Sequence, residues 1–200
     1  MNVEDKRVLF FDLDGTIAEF KTGILLPGVM SYFQSQIGND DIHFELVTNQ
    51  GGAGLRRWMK TKDFGNPDKY PSEMEVYFYI EKVLQAIYEK PKFKADDYPQ
   101  WIVNIAFNYC TKQGGNSPEF DEYPETTSLW WYASHEVEWR KPSGYIIKTA
   151  MTDNGYEPQE CLMVGDDWGN EDSGAARNAG IDFLHADDFF NRTLPADVPF

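Results

Sequence analysis

Four consecutive apolar residues, Val8-Leu9-Phe10-Phe11, follow Arg7 and stop abruptly at a carboxylate, Asp12. An unbroken apolar run has no face to offer to water, so it reads as a strand buried on both sides, as inside a parallel sheet. A second strand-like run, Ile42-His43-Phe44-Glu45-Leu46-Val47, ends at Thr48-Asn49. Between the two, Pro27-Gly28 turns into a helical segment, Val29-Met30-Ser31-Tyr32-Phe33, that closes near Gly38. Strand, helix, strand is the opening unit of an α/β fold.

The rest of the chain continues the alternation. A glycine cluster (Gly51, Gly52, Gly54) leads into a basic, aromatic stretch, Leu55-Arg56-Arg57-Trp58-Met59-Lys60-Thr61-Lys62. From Ser72 to about Lys90 the residues Met74, Tyr77, Phe78, Ile80, Val83, Leu84, Ile87 and Tyr88 recur at helical spacing, with Ser72 placed to cap the helix. Residues 101–107 read as a third strand, 143–152 as a helix, 160–164 as a fourth strand and 181–184 as a fifth. A short alanine-rich helix stopped by Gly180 precedes the fifth. Residues 60–100 read as a helical insertion or elaboration and 111–128 as a mobile loop, either of which could cover a substrate; an aromatic stretch, 129–132, follows.

Two hundred residues fit one domain, 1–200, large enough to need no disulfide or structural metal. A net charge of −15, from 18 Lys+Arg against 33 Asp+Glu, repels polyanions in general. The basic side chains nevertheless concentrate between Thr48 and Lys94, so a local patch can act against the overall field. No stretch reaches the roughly 18 consecutive apolar residues of a membrane span. The opening Met1-Asn2-Val3-Glu4-Asp5-Lys6 has no signal-like character, and Cys110 and Cys161 are too few for a disulfide framework or a cysteine zinc site. The expectation is a cytoplasmic protein, a monomer or weak homodimer, with no membrane partner.

Polar residues suited to chemistry stand where the strands end, and ligands of open parallel sheets bind beyond the carboxyl ends of strands. In Asp12-Leu13-Asp14-Gly15-Thr16, Gly15 permits a tight reversal that brings both carboxylates to one opening. Alone, such a pair would read as an Asx turn. Thr48 and Asn49 offer a hydroxyl and an amide to an anion. Pro142 biases Lys141 toward an extended conformation at the start of a helix, which aims its side chain. Asp166 and Asp167, with Asp172 close behind, repel one another unless they share a cation. A hard divalent ion with oxygen ligands resolves that repulsion, and Mg²⁺ suits a few carboxylates plus a phosphate.

Acid-x-acid, threonine, lysine and an acid pair, in that order, resemble the four motifs of the haloacid dehalogenase-type phosphohydrolases over about residues 7–184. The resemblance implies a three-layer Rossmann-like α/β fold, a central parallel sheet flanked by helices, with little or no separate cap. It implies that Asp12 is a nucleophile forming an aspartyl-phosphate, and that Asp14 serves as acid and then base. Thr48 and Lys141 would hold the phosphoryl oxygens, with Gly15 and Asn49 beside the substrate. Mg²⁺ would be bound by Asp12, the main-chain carbonyl of Asp14 and Asp166. The six-residue step from Asp166 to Asp172 departs from the usual spacing, leaving both Asp167 and Asp172 open as the second acid.

The implied activity is Mg²⁺-dependent phosphomonoester hydrolysis of a small metabolite or nucleotide. Thr48-Asn49-Gln50 and Arg140-Lys141-Pro142 also resemble the branch containing polynucleotide 3′-phosphatases, histidinol-phosphate phosphatases and heptose-bisphosphate phosphatases. Between the second and third motifs Cys110 and His135 are too few for the zinc loop common in the latter two. Arg56 and Arg57, beside Trp58, could instead track the backbone of a 3′-phosphorylated nucleic acid end. A phosphomutase and an inactive phosphate-binding or interaction protein of the same fold are the remaining alternatives.

Overall fold

The computed structural model describes residues 3–36, 39, 41–88, 106–110 and 140–192. Five strands, β1 (Val8–Phe11), β2 (His43–Asn49), β3 (Ala106–Cys110), β4 (Cys161–Gly165) and β5 (Asp182–His185), form one parallel sheet in the order β3-β2-β1-β4-β5. Among the described residues the α-helices are α1 (Val29–Ser35), α2 (Gly52–Lys62), α3 (Glu73–Tyr88), α4 (Tyr145–Asn154), α5 (Glu171–Ala179) and α6 (Ala186–Phe189). From β1 the chain builds outward through β2 to β3, then returns to lay β4 along the other side of β1. Strand order reverses at the β1–β4 pair, and the loops leaving those two strands part from the same sheet edge side by side.

The alternation of side chains along a strand explains why β1 is apolar throughout. Leu9 and Phe11 join Phe33, Phe44, Leu46, Val76, Ile80 and Val83 on one face of the sheet. Val8 and Phe10 join Ile146, Ile147, Met151, Ala175 and Ala176 on the other. Helices α1 and α3 thus cover one face, α4 and α5 the opposite one, in three layers. β1 and β4 are buried at every position.

Helix α3 shows how packing selects among apolar candidates. Its buried stripe is Val76, Ile80, Val83, Leu84 and Ile87, spaced as one face of a helix. Met74, Tyr77 and Phe78, expected in the same stripe, are exposed at 60%, 37% and 57%. The stripe packs on the sheet itself, so this part of the 60–100 segment is a layer of the α/β sandwich. Its start is a capping box: the Glu75 amide donates to Ser72 Oγ (3.2 Å), while the Ser72 amide donates to Glu75 Oε2 (2.6 Å).

Three elements run two or more residues past their expected ends. β2 runs two residues further, because Thr48 and Asn49 pair with Tyr109 and Cys110 of β3. For the same reason the third strand is Ala106–Cys110, reaching three residues past the expected end. α4 ends at Asn154, where Gly155 takes up the left-handed conformation. Gly38, Lys90, residues 101–105, the 111–128 loop and the aromatic stretch 129–132 lie outside the described residues. No helix among the described residues is long and apolar enough to cross a membrane.

Leu162, fully buried in the middle of β4, tests this core. Leu162→Ala should lower unfolding stability by about 2–5 kcal/mol, measured by chemical denaturation. A loss below about 1 kcal/mol would contradict its place between the two helical layers.

Candidate active site

The Asp12 amide donates to the Val164 carbonyl at 3.0 Å, carrying the β1–β4 pairing one residue beyond the strand. The Asp12 and Asp166 side chains therefore emerge on adjacent strands. Leu13 and Ile17 are buried below, and the chain between them reverses through Gly15 at φ +81°. A Cβ at Gly15 would stand 2.1 Å from Asp166 Oδ2, so this position serves both a left-handed turn and the close approach of that carboxylate.

Lys141 reaches into the centre of the site. Its Nζ donates to Asp12 Oδ1 and to Asp172 Oδ1, both at 2.6 Å, and all three side chains are buried. The lysine backbone is fixed from across the sheet by Asn49. The Asn49 side chain accepts from the Lys141 amide (3.0 Å) and donates to the Lys141 carbonyl (3.0 Å) and to Glu171 Oε2 (2.8 Å). Glu171 also pairs with Arg140 at 3.1 Å. Asn49, expected beside the substrate, thus spends its amide on aiming Lys141. The Lys141-Pro142 peptide is cis.

Asp12, Asp166 and Asp172 bring carboxylate oxygens within 4.8 Å of one another. Of the two acids left open by spacing, Asp172 is the one in this cluster. Asp167 sits at φ +57°, and its carboxylate accepts from the Ser173 amide at 2.8 Å. Asp172 Oδ2 in turn accepts from the Asp167 amide at 3.0 Å. A Cβ at Gly165 would meet Asp172 Oδ2 at 2.1 Å, so the last residue of β4 has to be side-chain-free for Asp172 to enter.

The electrostatics are those of a crowded anion cluster. Burial pushes the Asp12 carboxyl well above the ordinary aspartate range; Lys141 pulls it back and Asp172 pushes it up further. Burial raises Asp166 as well, against the Trp168 amide that holds it down. Burial works against the Lys141 charge, but Asp12 and Asp172 outweigh it and hold the ammonium above the usual lysine range. One ammonium facing three carboxylates leaves negative charge uncompensated. An all-oxygen donor set of this kind fits a hard divalent cation such as Mg²⁺.

Asp14 points to the same opening, gripped from both sides. Tyr79 of α3 donates to its Oδ1 at 2.5 Å, and Gln50 Nε2 donates to its Oδ2 at 2.8 Å. Gln50 also donates to Thr48 Oγ1 at 3.1 Å. Burial and the neighbouring Asp14 carboxylate raise the Tyr79 phenol above its ordinary range, keeping it a donor. A cavity of about 460 Å³ contains Asp12, Asp14, Thr48, Lys141, Asp166 and Asp172 in its wall. A second, of about 730 Å³, adjoins it at Asp14, Phe20, Asn49 and Arg140 and extends between α2 and α3 past Leu55, Tyr70 and Tyr79. Gln50 and Arg140 flank motif residues, so sequence proximity could have flagged them. Tyr79 had no such signal, being one aromatic among several on a helix.

The basic stretch divides between two helix faces. Arg56 turns inward to hold the 67–70 loop, donating to the carbonyls of Tyr70 (2.5 Å) and Pro67 (3.3 Å) and pairing with Asp68 (3.1 Å). Arg57, one residue on and so about 100° around the helix, is exposed and lines neither cavity. Arg56, expected to contact substrate, is committed to the 67–70 loop, and Arg57, expected to do the same, is not in the wall of either cavity.

Comparison with solved structures settles the architecture. A protein described as a HAD-like phosphatase from Mesorhizobium loti superposes with a TM-score of 0.55 at 20% identity, over 88% of this chain and 69% of its own. D,D-heptose 1,7-bisphosphate phosphatase from B. bronchiseptica, complexed with magnesium and phosphate, gives 0.54 at 17% identity, over 88% and 78%. The fold is that of the haloacid dehalogenase-like phosphatases. Residues 138–186, which hold Lys141, Asp166 and Asp172, also match the family described as HAD-hydrolase-like. No protein of curated function matches the sequence. Within the HAD-like fold, the neighbours do not single out the 3′-phosphatase branch.

Gly165→Ala should displace the Asp172 carboxylate while leaving the sheet intact. Supporting residues around metal ligands are typically worth 10–100-fold in affinity, so Mg²⁺ binding measured by calorimetry should weaken at least about tenfold. Unchanged Mg²⁺ affinity would separate Asp172 from the cation site.

Proposed function

We propose that this protein is a Mg²⁺-dependent phosphatase that hydrolyses small phosphomonoesters through a phosphorylated Asp12. The observation that carries the proposal is the placement of Lys141 Nζ between Asp12 and Asp172, at the mouth where β1 and β4 part, with Asp14 at the same opening. A carboxylate held by one oxygen on a buried ammonium is oriented with its other oxygen available for attack. The HAD-like fold of the neighbours agrees with this chemistry.

In the first step an Asp12 oxygen attacks phosphorus and the bond to the leaving oxygen breaks. Asp14 gives its proton to that oxygen. In the second step Asp14, now ionised, takes a proton from water as the water attacks the same phosphorus. The bond to Asp12 breaks and inorganic phosphate leaves. Lys141 stabilises the charge on the phosphoryl oxygens, and Thr48, whose oxygen already accepts from Gln50, donates its own hydrogen to one of them. Mg²⁺, held by Asp12, Asp166, Asp172 and the main-chain carbonyl of Asp14, would supply the positive charge that lets nucleophile and phosphate approach.

Asp12→Asn preserves shape and removes the nucleophilic charge, so kcat should fall by at least about 10³. Near-native turnover in that variant would exclude a covalent route through Asp12. Chelation should abolish activity and added Mg²⁺ restore it; indifference to both would remove the metal from the mechanism.

For substrate class, kcat/KM should favour small sugar and nucleotide monophosphates over a 3′-phosphorylated oligonucleotide. Replacing Arg57 by Ala should leave that order unchanged. A preference for the oligonucleotide that fades with salt and with Arg57→Ala would reinstate nucleic-acid ends as the substrate.

A further inference from the structure

We propose that Tyr79 is a positioning residue for Asp14, and that α3 thereby sets the geometry of proton transfer to and from the leaving group. The inference rests on the assignment of Asp14 as acid and base made above. A carboxylate on a reversing loop can rotate about two side-chain bonds, whereas proton transfer demands one orientation toward the reacting oxygen. Here each Asp14 oxygen is tied by one donor, Tyr79 on Oδ1 and Gln50 on Oδ2. Each oxygen keeps a further lone pair, which can carry the proton given to the leaving group and then accept one from water.

The two ties come from different places. Gln50 follows β2 directly, so it belongs to the strand edge that also carries Thr48. Tyr79 reaches Asp14 across 65 residues of chain, from a helix whose rotation is set by the stripe Val76, Ile80, Val83, Leu84 and Ile87 packed on the sheet. The hydrophobic core therefore sets where the phenol points, and the Lys21 backbone amide on the loop after Asp14 meets it there. Asp14 and Tyr79 also stand together in the wall of the α2–α3 cavity, and Asp14 is shared with the cavity that holds Asp12 and Lys141. A leaving group departing from phosphorus at Asp12 meets Asp14 where the two cavities join.

Tyr79→Phe keeps the ring and its packing and removes the hydroxyl, with its hydrogen bond to Asp14 and the one it receives from the Lys21 backbone amide. The measurement is single-turnover release of the leaving group from an alkyl phosphate and from nitrophenyl phosphate, with KM followed in parallel. A leaving alkoxide needs the Asp14 proton and a nitrophenolate does not. The variant should lose between about 10- and 100-fold with the alkyl phosphate, as expected for a misplaced catalytic group. With nitrophenyl phosphate it should lose little, and KM should barely change for either. In an Asp14→Ala background, Tyr79→Phe should have no further effect.

Equal losses with both leaving groups, or an additional loss in the Asp14→Ala background, would overturn the proposal, because Tyr79 would then act through the fold or on the substrate directly. If Asp14→Ala discriminates between the leaving groups and Tyr79→Phe does not, the positioning role alone fails. If Asp14→Ala itself does not discriminate, the acid role of Asp14 fails first and the positioning role with it.

Discussion

Burying the Lys141 ammonium between the Asp12 and Asp172 carboxylates puts three charges where water solvates them poorly. Desolvation of each ion costs several kcal/mol, and only good geometry with further hydrogen bonds returns it. The surrounding residues supply that geometry. Asn49 pairs with both backbone groups of Lys141, Gly165 clears space for Asp172, and Gly15 clears space for Asp166. Each acts on a charged group that it does not itself neutralise. The cluster is a local cost to folding, carried by two hydrophobic layers on either side of the sheet.

Sheet topology is what makes the cluster possible. Asp12 and Asp172 lie 129 and 31 residues from Lys141, yet both meet it because the strand order reverses between β1 and β4. Loops leaving neighbouring parallel strands at their carboxyl ends diverge, and the crevice between them is where a ligand fits. β2, on the other flank of β1, brings Thr48 and Asn49 to the same edge. The crossover after β2 contributes more than a connection, since α3 both closes one core layer and delivers Tyr79 to Asp14.

The basic stretch after β2 shows where sequence composition misleads. Adjacent arginines look like one patch on paper, but on a helix they point roughly 100° apart. Arg56 is drawn into the 67–70 loop by two carbonyls and Asp68, leaving Arg57 on a face that borders neither cavity. The same geometry separated Asp167 from Asp172. Position 167 lies in a left-handed turn before the following helix and accepts from the Ser173 amide, whereas 172 is the second residue of that helix and faces Lys141.

The apolar run of β1, its end at Asp12, the order of the strand-end motifs and the helical period of residues 72–88 were all legible in the amino-acid sequence. They are short-range patterns, imposed by burial on both faces of a strand or one face of a helix, and they need no knowledge of distant partners. Which of two acids joins the anion cluster, what Asn49 holds, where Arg56 turns and which tyrosine of α3 meets Asp14 were decided only in three dimensions. Those choices depend on the rotation of a helix against the sheet and on contacts between residues 11 to 129 positions apart, and no local period encodes either.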